Sequence, residues 1–337
     1  MGWRCGGLRW AGGAPVLVWR RAGEDRAERR ESALSYGRAL GFRVLGARHC
    51  VGARGHSCPL GATVPARGTG GLCPECARLD RAHSVAADTV ADDPRTFRVY
   101  LAWFGPGLVK VGITAEDRGA ARLLEQGAVA FSWLGRGPLM SARRAEELLH
   151  TALGVPDRIP YARKRAVRSE LPVRAERAAE TARAHARAVA LADWPTALER
   201  LECAVVDHAE VFGLAGPPAP PPVTGVVTEL VDGGVVAGRL VAAAGPDLHL
   251  ATDEGGSVVL DTRLMTGWEL AAVRPADVPA TAPPPGGPAM GTSATGASAT
   301  GMSVTGTPAV GPSATVVTAM TVPVRDVRPG DVQEGLF

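Results

Sequence analysis

A β-hairpin between residues 99 and 114 is the feature of this sequence that most constrains its fold. Val99 to Phe104 is an apolar and aromatic run that stops at Gly105-Pro106-Gly107. Leu108 to Thr114 follows at once, with enough alternation of apolar and polar residues to form a half-buried strand. A three-residue connection that contains glycine joins two such strands as an antiparallel hairpin.

Two helical segments are expected after the hairpin. Arg118 and Arg122 are four residues apart and therefore lie on one helical face, where two guanidinium groups could bind an anion. A second helix is expected over residues 141–153, with Ser141 as its N-terminal cap and Glu146 among its polar residues. Its apolar stripe consists of Ala142, Ala145, Leu148, Leu149 and Leu153.

This order of residues resembles the GIY-YIG nuclease superfamily. The resemblance is carried by Val99-Tyr100, by Lys110-Val111-Gly112-Ile113-Thr114, by an arginine followed by Leu123-Leu124-Glu125-Gln126, and by the segment from Ala142 to His150. It covers residues 97–153 and is closest to the branch whose second signature carries lysine rather than tyrosine. In that superfamily a hairpin tyrosine, a helical arginine and a helical glutamate surround a divalent metal ion and hydrolyse a phosphodiester.

The resemblance implies a role for each matching residue. Tyr100 would take the role of the first tyrosine, and Lys110 would begin the second signature. Arg122 would be the arginine, or Arg118 if the loop is shorter, and Glu146 would hold Mg²⁺ or Mn²⁺. We expect these side chains to meet in one shallow cleft beside the hairpin if the helix over 141–153 packs on the same layer.

The chain also departs from the superfamily. Arg98 stands where the family has glycine, Lys110 stands where many active members have tyrosine, and the family's later asparagine has no clear match. Each candidate also has a structural interpretation. Tyr100 could be a core aromatic, and Glu146 could pair with Arg143 or His150. Arg118 and Arg122 could pair with Asp117 and Glu125.

Four cysteines predict a structural zinc site upstream of the hairpin. Cys50, Cys58, Cys73 and Cys76 give the spacing Cys-x7-Cys-x14-Cys-x2-Cys. Two thiolates in the Cys-Pro-Glu-Cys turn can share one tetrahedral Zn²⁺, and the distal pair completes a closed site. A redox Cys-x-x-Cys motif and four unrelated cysteines are the alternatives.

The remaining cysteines and nearby histidines are interpreted as structural. Cys5 and Cys203 are expected to be buried thiols, and His49 and His56 to be loop histidines rather than ligands. Clustered cysteines in a chain of 337 residues fit a metal site in a reducing compartment better than a disulfide framework. Because the sequence has neither a signal-peptide apolar segment nor an apolar run near about 18 residues, we expect a cytoplasmic protein without membrane spans.

Charge is unevenly distributed although the net charge is only +3. Residues 1–92 hold 14 arginines against 8 acidic residues, residues 93–200 hold 18 basic against 12 acidic, and residues 201–337 hold 5 against 14. The basic two-thirds could attract DNA or RNA. Residues 161–190 form a basic helical stretch that could lie along phosphates or could be a solvated face. Lys110 and Lys164 are the two lysines of the chain.

The C-terminal third predicts a small β domain followed by a disordered tail. Residues 216–222 are a proline-rich linker, and residues 223–273 contain four short strands separated by glycine-rich turns. His249, alone on one of these strands, is interpreted as structural. From residue 275 to residue 337, alanine, threonine, glycine and serine recur in loose repeats that are too polar to fold alone.

The sequence therefore predicts an α+β protein in five regions: an N-terminal β region with the zinc site (1–92), a GIY-YIG-like core of a small antiparallel sheet with flanking helices (93–160), a basic helical region (161–215), a small β domain (223–273) and a disordered tail (275–337). The expected function is a metal-dependent nuclease or another nucleic-acid-processing enzyme. The alternative is a non-catalytic, zinc-containing module that binds nucleic acid or protein. This combination of regions looks like a bacterial family of unknown function.

Overall fold

The computed structural model describes residues 2–21, 28–82, 93–156, 158–216, 219–273 and 319–327. The strands in this part of the chain are β1 (Arg4–Ala11), β2 (Ala14–Arg21), β3 (Glu28–Ala33), β4 (Ala39–Leu45), β5 (Thr96–Gly105), β6 (Leu108–Ala115), β7 (Ala130–Pro138), β8 (Glu199–Arg200), β9 (Val206–Asp207), β10 (Val223–Val227), β11 (Val235–Ala244), β12 (Asp247–Ala251), β13 (Ser257–Asp261), β14 (Glu269–Ala272), β15 (Ala319–Met320) and β16 (Val324–Asp326). The α-helices are α1 (Pro74–Ala82), α2 (Ala121–Gln126), α3 (Leu139–Leu153), α4 (Tyr161–Arg168), α5 (Arg174–Val189) and α6 (Thr262–Met265). The chain is thus α+β, as expected.

The larger sheet joins both ends of the chain. Its strand order is β16-β10-β13-β12-β11-β4-β14-β1-β2-β3, and β15 also pairs with β11. All pairs are antiparallel except β10 with β13. Strands from the predicted regions 1–92 and 223–273 therefore belong to one sheet, which corrects their expected separation.

This sheet curls around a single apolar core. The indole nitrogen of Trp10 on β1 donates a hydrogen bond of 3.1 Å to the carbonyl of Gly245 in the turn between β11 and β12. Two strands, β4 and β14, lie between β1 and β11, so in a flat sheet β1 and β11 would be about 14 Å apart. The sheet must therefore bend until its strands face one another across residues such as Leu17, Phe42 and Leu240.

The smaller sheet has the order β6-β5-β7-β8, and β9 also pairs with β7. Its central strand β5 is buried at every residue from Val99 to Gly105, as expected for a continuous apolar run. Leu123 of α2 packs with Tyr100 on one face, whereas Ala145 of α3 packs with Val99 on the other. Helices α2 and α3 therefore cover opposite faces of the sheet and not the same layer.

Helices α4 and α5 belong to the same unit. Helix α5 contacts β5 and β7, and α4 contacts β5. The predicted helical region 161–215 also includes β8 and β9, and Lys164, Arg168 and Arg177 within it are buried. It is therefore not an exposed basic face along its whole length. Helix α3 begins at Leu139 after Pro138, two residues before the predicted cap Ser141.

The two sheets are held together by buried ion pairs from α4. The guanidinium of Arg165 lies 2.6 Å from a carboxylate oxygen of Asp247 and 2.6 Å from one of Asp261. The guanidinium of Arg168 lies 2.7 Å from the second oxygen of Asp247. Since Asp247 is fully buried, these contacts are needed to stabilise its charge, and they fix α4 against β12 and β13.

Three of the described strands, β3, β15 and β16, lie where no strand was expected. Glu28–Ala33 forms β3 although it is rich in charge, is exposed at every residue and has no apolar pattern that would predict a strand. Residues 319–327 include β15 and β16, which pair with β11 and β10, so disorder is wrong for this part of the predicted tail. The rest of the tail lies outside the described residues. Within the described ranges, none of the helices has the length and apolar character that crossing a bilayer requires.

Candidate functional site

Tyr100 lies at the centre of the predicted site, on the middle strand of the smaller sheet. It pairs with Gly112 on the edge strand β6, and its side chain crosses Gly112 so closely that a Cβ atom there would overlap the phenol hydroxyl. The hydroxyl accepts a hydrogen bond of 2.7 Å from Nε2 of Gln126, at the end of α2. Tyr100 is only 2% exposed, so its ring is part of the core and its hydroxyl is its one polar atom available to a site.

Arg122 and Glu146 both lie near this hydroxyl. Burial raises the pKa of Tyr100, the hydrogen bond from Gln126 and the charge of Arg122 lower it, and the charge of Glu146 raises it. Arg122 comes from α2 on the same face of the sheet, whereas Glu146 comes from α3 on the opposite face. Because β6 is an edge strand, Glu146 can act on Tyr100 around that edge.

A cavity of about 420 Å³ opens beside these residues, and we call it the basic cleft. Its lining is Lys110, Arg122, Glu125, Gln126, Arg158, Ile159, Pro160, Tyr161 and Lys164. Four cationic side chains face one carboxylate in this set, so the cavity attracts anions. The cleft thus brings together Lys110 and Arg122, two of the residues predicted for the site, whereas Tyr100 and Glu146 are not among its lining residues.

Arg118 and Arg98 lie outside the lining of the basic cleft. The exposed guanidinium of Arg118 is 2.7 Å from a carboxylate oxygen of Glu125. Arg122 is equally exposed and lies 3.9 Å from the same carboxylate, but it lines the cleft. Arg98, at the position of the superfamily's glycine, is 2.7 Å from Glu116. Its guanidinium also lies 5.1 Å from the ring centre of Trp133.

Gln126 and Lys164 also line the basic cleft, and the sequence interpretation assigned neither of them to the site. Gln126 stood within the segment that carried the resemblance, but its contact with Tyr100 depends on how α2 packs. Lys164 was counted only as part of a basic stretch, yet it is 3% exposed and lines the cleft. The signal that could have found it is the rarity of lysine in this chain.

The four predicted cysteines converge as expected. Their sulfur atoms all lie within 4.8 Å of one another, and those of Cys58 and Cys73 are 3.8 Å apart. Four sulfurs at about 2.3 Å from a tetrahedral zinc ion would be separated by about 3.8 Å. The spacing therefore fits a metal ion, and it is too long for a disulfide, whose S–S bond is about 2.05 Å.

Backbone groups favour a thiolate at two of the four sulfurs. The sulfur of Cys50 accepts hydrogen bonds from the backbone nitrogens of Gly52, at 3.4 Å, and Cys73, at 3.2 Å, although burial raises its pKa. Burial raises the pKa of Cys58, but backbone hydrogen bonds from Ala62 and Leu60 and contacts with the thiols of Cys50 and Cys73 outweigh it and lower the pKa to about 7. Burial raises the pKa of Cys76, so a metal ion is what would hold all four sulfurs as thiolates.

The other cysteines and the histidines near the cluster have different surroundings. Cys5 is buried, as expected, but Cys203 is exposed, which corrects the prediction of a buried thiol. His49 and His56 lie outside the group of ligand atoms identified within the described ranges. His49 instead places its Nδ1 atom 3.2 Å from the carbonyl of Gly61.

The cysteine segment is attached to the larger sheet by Arg48. Arg48 is 2% exposed, and its guanidinium donates hydrogen bonds of 2.8–3.0 Å to four backbone carbonyls: Thr266, Pro65, Gly68 and Arg263. Two of these acceptors belong to the cysteine segment and two to the end of α6 and the turn after it. One side chain therefore joins the two parts.

Comparison with known proteins gives a family without a described activity. Residues 37–270 match the family described as "Protein of unknown function (DUF2797)". The matched range includes the four cysteines, Tyr100 and the whole basic cleft, and it covers more than half of the 337 residues. No curated protein and no solved structure matches the chain. The family description names no nuclease, so the resemblance to the GIY-YIG superfamily stays a hypothesis.

Proposed function

The chain belongs to the DUF2797 family, and because the family description gives no activity, we propose from the geometry of the basic cleft that the protein hydrolyses phosphodiester bonds of DNA or RNA in the manner of a GIY-YIG nuclease. The observation that carries the proposal is the position of the Tyr100 hydroxyl. It lies within range of both Arg122 and Glu146, and Arg122 also lines the basic cleft.

Each residue type has a task in such a reaction. Arg122 would offset the negative charge that grows on the phosphate oxygens, and Lys110 would bind a phosphate of the strand. Glu146 would hold Mg²⁺ or Mn²⁺, ions that keep several waters and borrow phosphate oxygens when the protein supplies few carboxylates. The bound ion would supply Lewis acidity at the phosphate.

Tyr100 would act in its protonated form. Its pKa is raised by burial, so the phenol keeps its proton at neutral pH. In hydrolysis, water adds to phosphorus, the P–O bond to one strand end breaks, and the leaving oxygen gains a proton. A protonated phenol held by Gln126 would position the water or the phosphate by hydrogen bonding rather than remove a proton.

The four cysteines would bind one zinc ion with a structural role. A closed set of four thiolates leaves no coordination position for substrate. Of these four cysteines, Cys50, Cys73 and Cys76 are buried, and the surrounding loops from residue 46 to residue 73 contain no helix or regular strand. A metal ion would therefore supply free energy that the loops do not gain from secondary structure.

The proposal is tested by cleavage of labelled DNA and RNA in single-stranded, duplex and branched forms, with Mg²⁺ or Mn²⁺ added. We expect cleavage by the wild-type protein and a loss of at least about 100-fold in Glu146→Gln. Arg239→Met is the matched control, because Arg239 is exposed on β11 and lies outside the cleft lining, and it should retain activity. Cleavage that is unchanged in Glu146→Gln would refute the assignment.

The positive charge of the cleft also favours a second candidate, a non-catalytic module that binds nucleic acid. Its four cations face one carboxylate, which is enough to bind phosphates without hydrolysing them. Tight binding of an oligonucleotide with no cleavage under either metal would select this function over the nuclease.

A further inference from the structure

Lysine is used at only two positions of this chain, and both positions line the basic cleft. The sequence has 37 lysines and arginines together, and Lys110 and Lys164 are the two lysines. Lys110 lies on β6 and Lys164 on α4. These two elements form the cleft together with α2 and residues 158–160, so both lysines line one cavity. A chain that uses arginine almost everywhere else therefore places its lysines where an anion would bind.

The two side chains differ in a property that matters here. Arginine stays charged in any protein environment, whereas a buried lysine readily loses its proton. Lysine also presents a compact ammonium with three donors, suited to a single phosphate oxygen. The choice of lysine thus allows the charge in the cleft to depend on what occupies it.

Lys164 is enclosed on three sides. Its Nζ atom donates a hydrogen bond of 3.1 Å to the backbone carbonyl of Gln126. The same atom lies 3.9 Å from the ring centre of Phe104 and 4.5 Å from that of Tyr161. The two ring faces stabilise an ammonium, and they hold the side chain in one position beside the cavity.

Charges from α4 itself and from three neighbouring elements act on this amine. Burial and the charges of Arg168 on α4, Lys110 on β6 and Arg122 on α2 together lower the pKa of Lys164 to about 7, and Asp247 on β12 opposes them. Asp247 is already paired with two arginines. The surroundings of Lys164 are therefore those of an anion-binding site, because a negative ligand would offset the repulsion that Arg168, Lys110 and Arg122 exert on the amine.

We propose that Lys164 binds a phosphate group of the ligand, and that the amine takes up a proton as the phosphate binds. The inference rests on the proposed function, because it takes nucleic acid as the ligand of the cleft. It adds a binding residue from α4 that the GIY-YIG resemblance does not supply, and it predicts how binding depends on pH.

Gln126 links this amine to the proposed reacting centre. Its backbone carbonyl accepts from Lys164, and its side-chain amide donates to the hydroxyl of Tyr100. A phosphate bound at Lys164 would therefore lie close to Gln126, whose side-chain amide orients the hydroxyl of Tyr100. This position suits a phosphate next to the one that is hydrolysed.

Binding is measured by fluorescence anisotropy of labelled DNA and RNA oligonucleotides from pH 6 to pH 9, without added divalent metal. Glu146→Gln is the background, so that bound strands stay intact. We expect affinity to fall up to about tenfold as pH rises through 7, because the amine loses its charge. Lys164→Met should have low affinity at pH 6 and lack most of this dependence. Arg239→Met, which removes an exposed charge from β11, should behave like the background protein.

The outcomes separate the two proposals. A pH dependence that persists unchanged in Lys164→Met would overturn the role of Lys164 and leave the proposed function standing. Failure of the Glu146→Gln background and the wild-type protein to bind either oligonucleotide at any pH would overturn both. Circular dichroism spectra and unfolding curves of Lys164→Met establish that it is folded, and methionine fills the same apolar enclosure without a charge.

A second readout uses the rarity of lysine. An acetylating reagent at pH 7.5 has three amine targets in this chain: the N-terminus, Lys110 and Lys164. We expect the oligonucleotide to protect Lys164 from acetylation by several-fold, as measured by mass spectrometry of the peptides, while the N-terminus is unaffected. Equal acetylation of Lys164 with and without saturating oligonucleotide would contradict the inference.

Discussion

The phenol ring of Tyr100 occupies the space that a side chain at Gly112 would need. The two residues face one another on β5 and β6, and a Cβ atom at Gly112 would overlap the Tyr100 hydroxyl and its ring. The backbone at Gly112 has an ordinary strand conformation, so the need for glycine comes from this contact and not from its dihedral angles. Gly112 therefore leaves room for the hydroxyl that accepts a hydrogen bond from Gln126 and whose pKa responds to the charges of Arg122 and Glu146.

Gly112→Ala should consequently damage both stability and the site. Overpacking of a buried contact costs about 1–3 kcal/mol, and we expect a loss of this size in the free energy of unfolding from denaturant titration. Cleavage should fall more than stability alone explains, since Tyr100 would move away from Gln126. Gly70→Ala is the matched control, because a Cβ atom there meets nothing within 4 Å. An unchanged unfolding midpoint in Gly112→Ala would show that the ring can shift at little cost.

The cysteine cluster should contain one zinc ion per chain. Elemental analysis of the purified protein tests this, and Cys76→Ala should lose the metal, because Cys76 is a member of the cluster. We expect limited proteolysis of Cys76→Ala to cut within residues 46–82, since the loops lose the free energy of metal binding. Cys203→Ala is the matched control: Cys203 is exposed and outside the cluster, so zinc content and protease resistance should match the wild type.

Arg48 should be among the most sensitive arginines for stability. Arg48→Met would remove the donor of four partly buried hydrogen bonds to backbone carbonyls, and each acceptor that water does not reach costs about 1–3 kcal/mol before the loops relax. We expect a total loss of about 3–5 kcal/mol in the free energy of unfolding. Arg67→Met removes an arginine that is 82% exposed, from the same segment, and should change stability by less than about 0.5 kcal/mol. Similar losses in the two variants would refute this role for Arg48.

The parts of the structure that local sequence patterns determine were predictable. The hairpin is present because two apolar runs flank a glycine-containing turn, and it carries Tyr100 and Lys110 as expected. The four sulfurs converge because a Cys-x-x-Cys turn needs only a second pair nearby in the chain. The choice between Arg118 and Arg122 stayed open in the sequence, since their spacing predicted one helical face for both. In the structure Arg118 instead ends a separate 3-10 helix, Glu116–Arg118, and only Arg122 belongs to α2 and lines the cleft.

Features that depend on distant parts of the chain could not be read from the sequence. Strand β3 is exposed at every residue, so pairing with β2, and not an apolar pattern, makes it a strand. Strand β14 inserts between β1 and β4, a pairing that no local signal specifies. Lys164 looked like one charge in a basic stretch, because its burial depends on Phe104 from another element.

His249 should make the protein less stable in mild acid. Its side chain is buried on β12, and burial together with the charges of Arg168 and Arg165 lowers its pKa to about 4, with Asp247 opposing them. In the unfolded chain the imidazole binds a proton near pH 6.5, whereas in the folded protein it binds one only near pH 4. The neutral histidine therefore favours folding fully above pH 6.5, and this contribution is lost as pH falls from 6.5 to 4.

By linkage, the titration of His249 lowers the free energy of unfolding by about 2 kcal/mol between pH 7 and pH 5. His249→Leu keeps the apolar packing and cannot titrate, so we expect its free energy of unfolding to fall by about 2 kcal/mol less than that of the wild type over this range. Denaturant titrations at pH 7, 6 and 5 measure the difference directly. His150→Leu is the control, because His150 is exposed and its loss should leave the pH dependence of the wild type in place. Parallel curves for His249→Leu and the wild type would show that His249 binds its proton equally well in the folded protein.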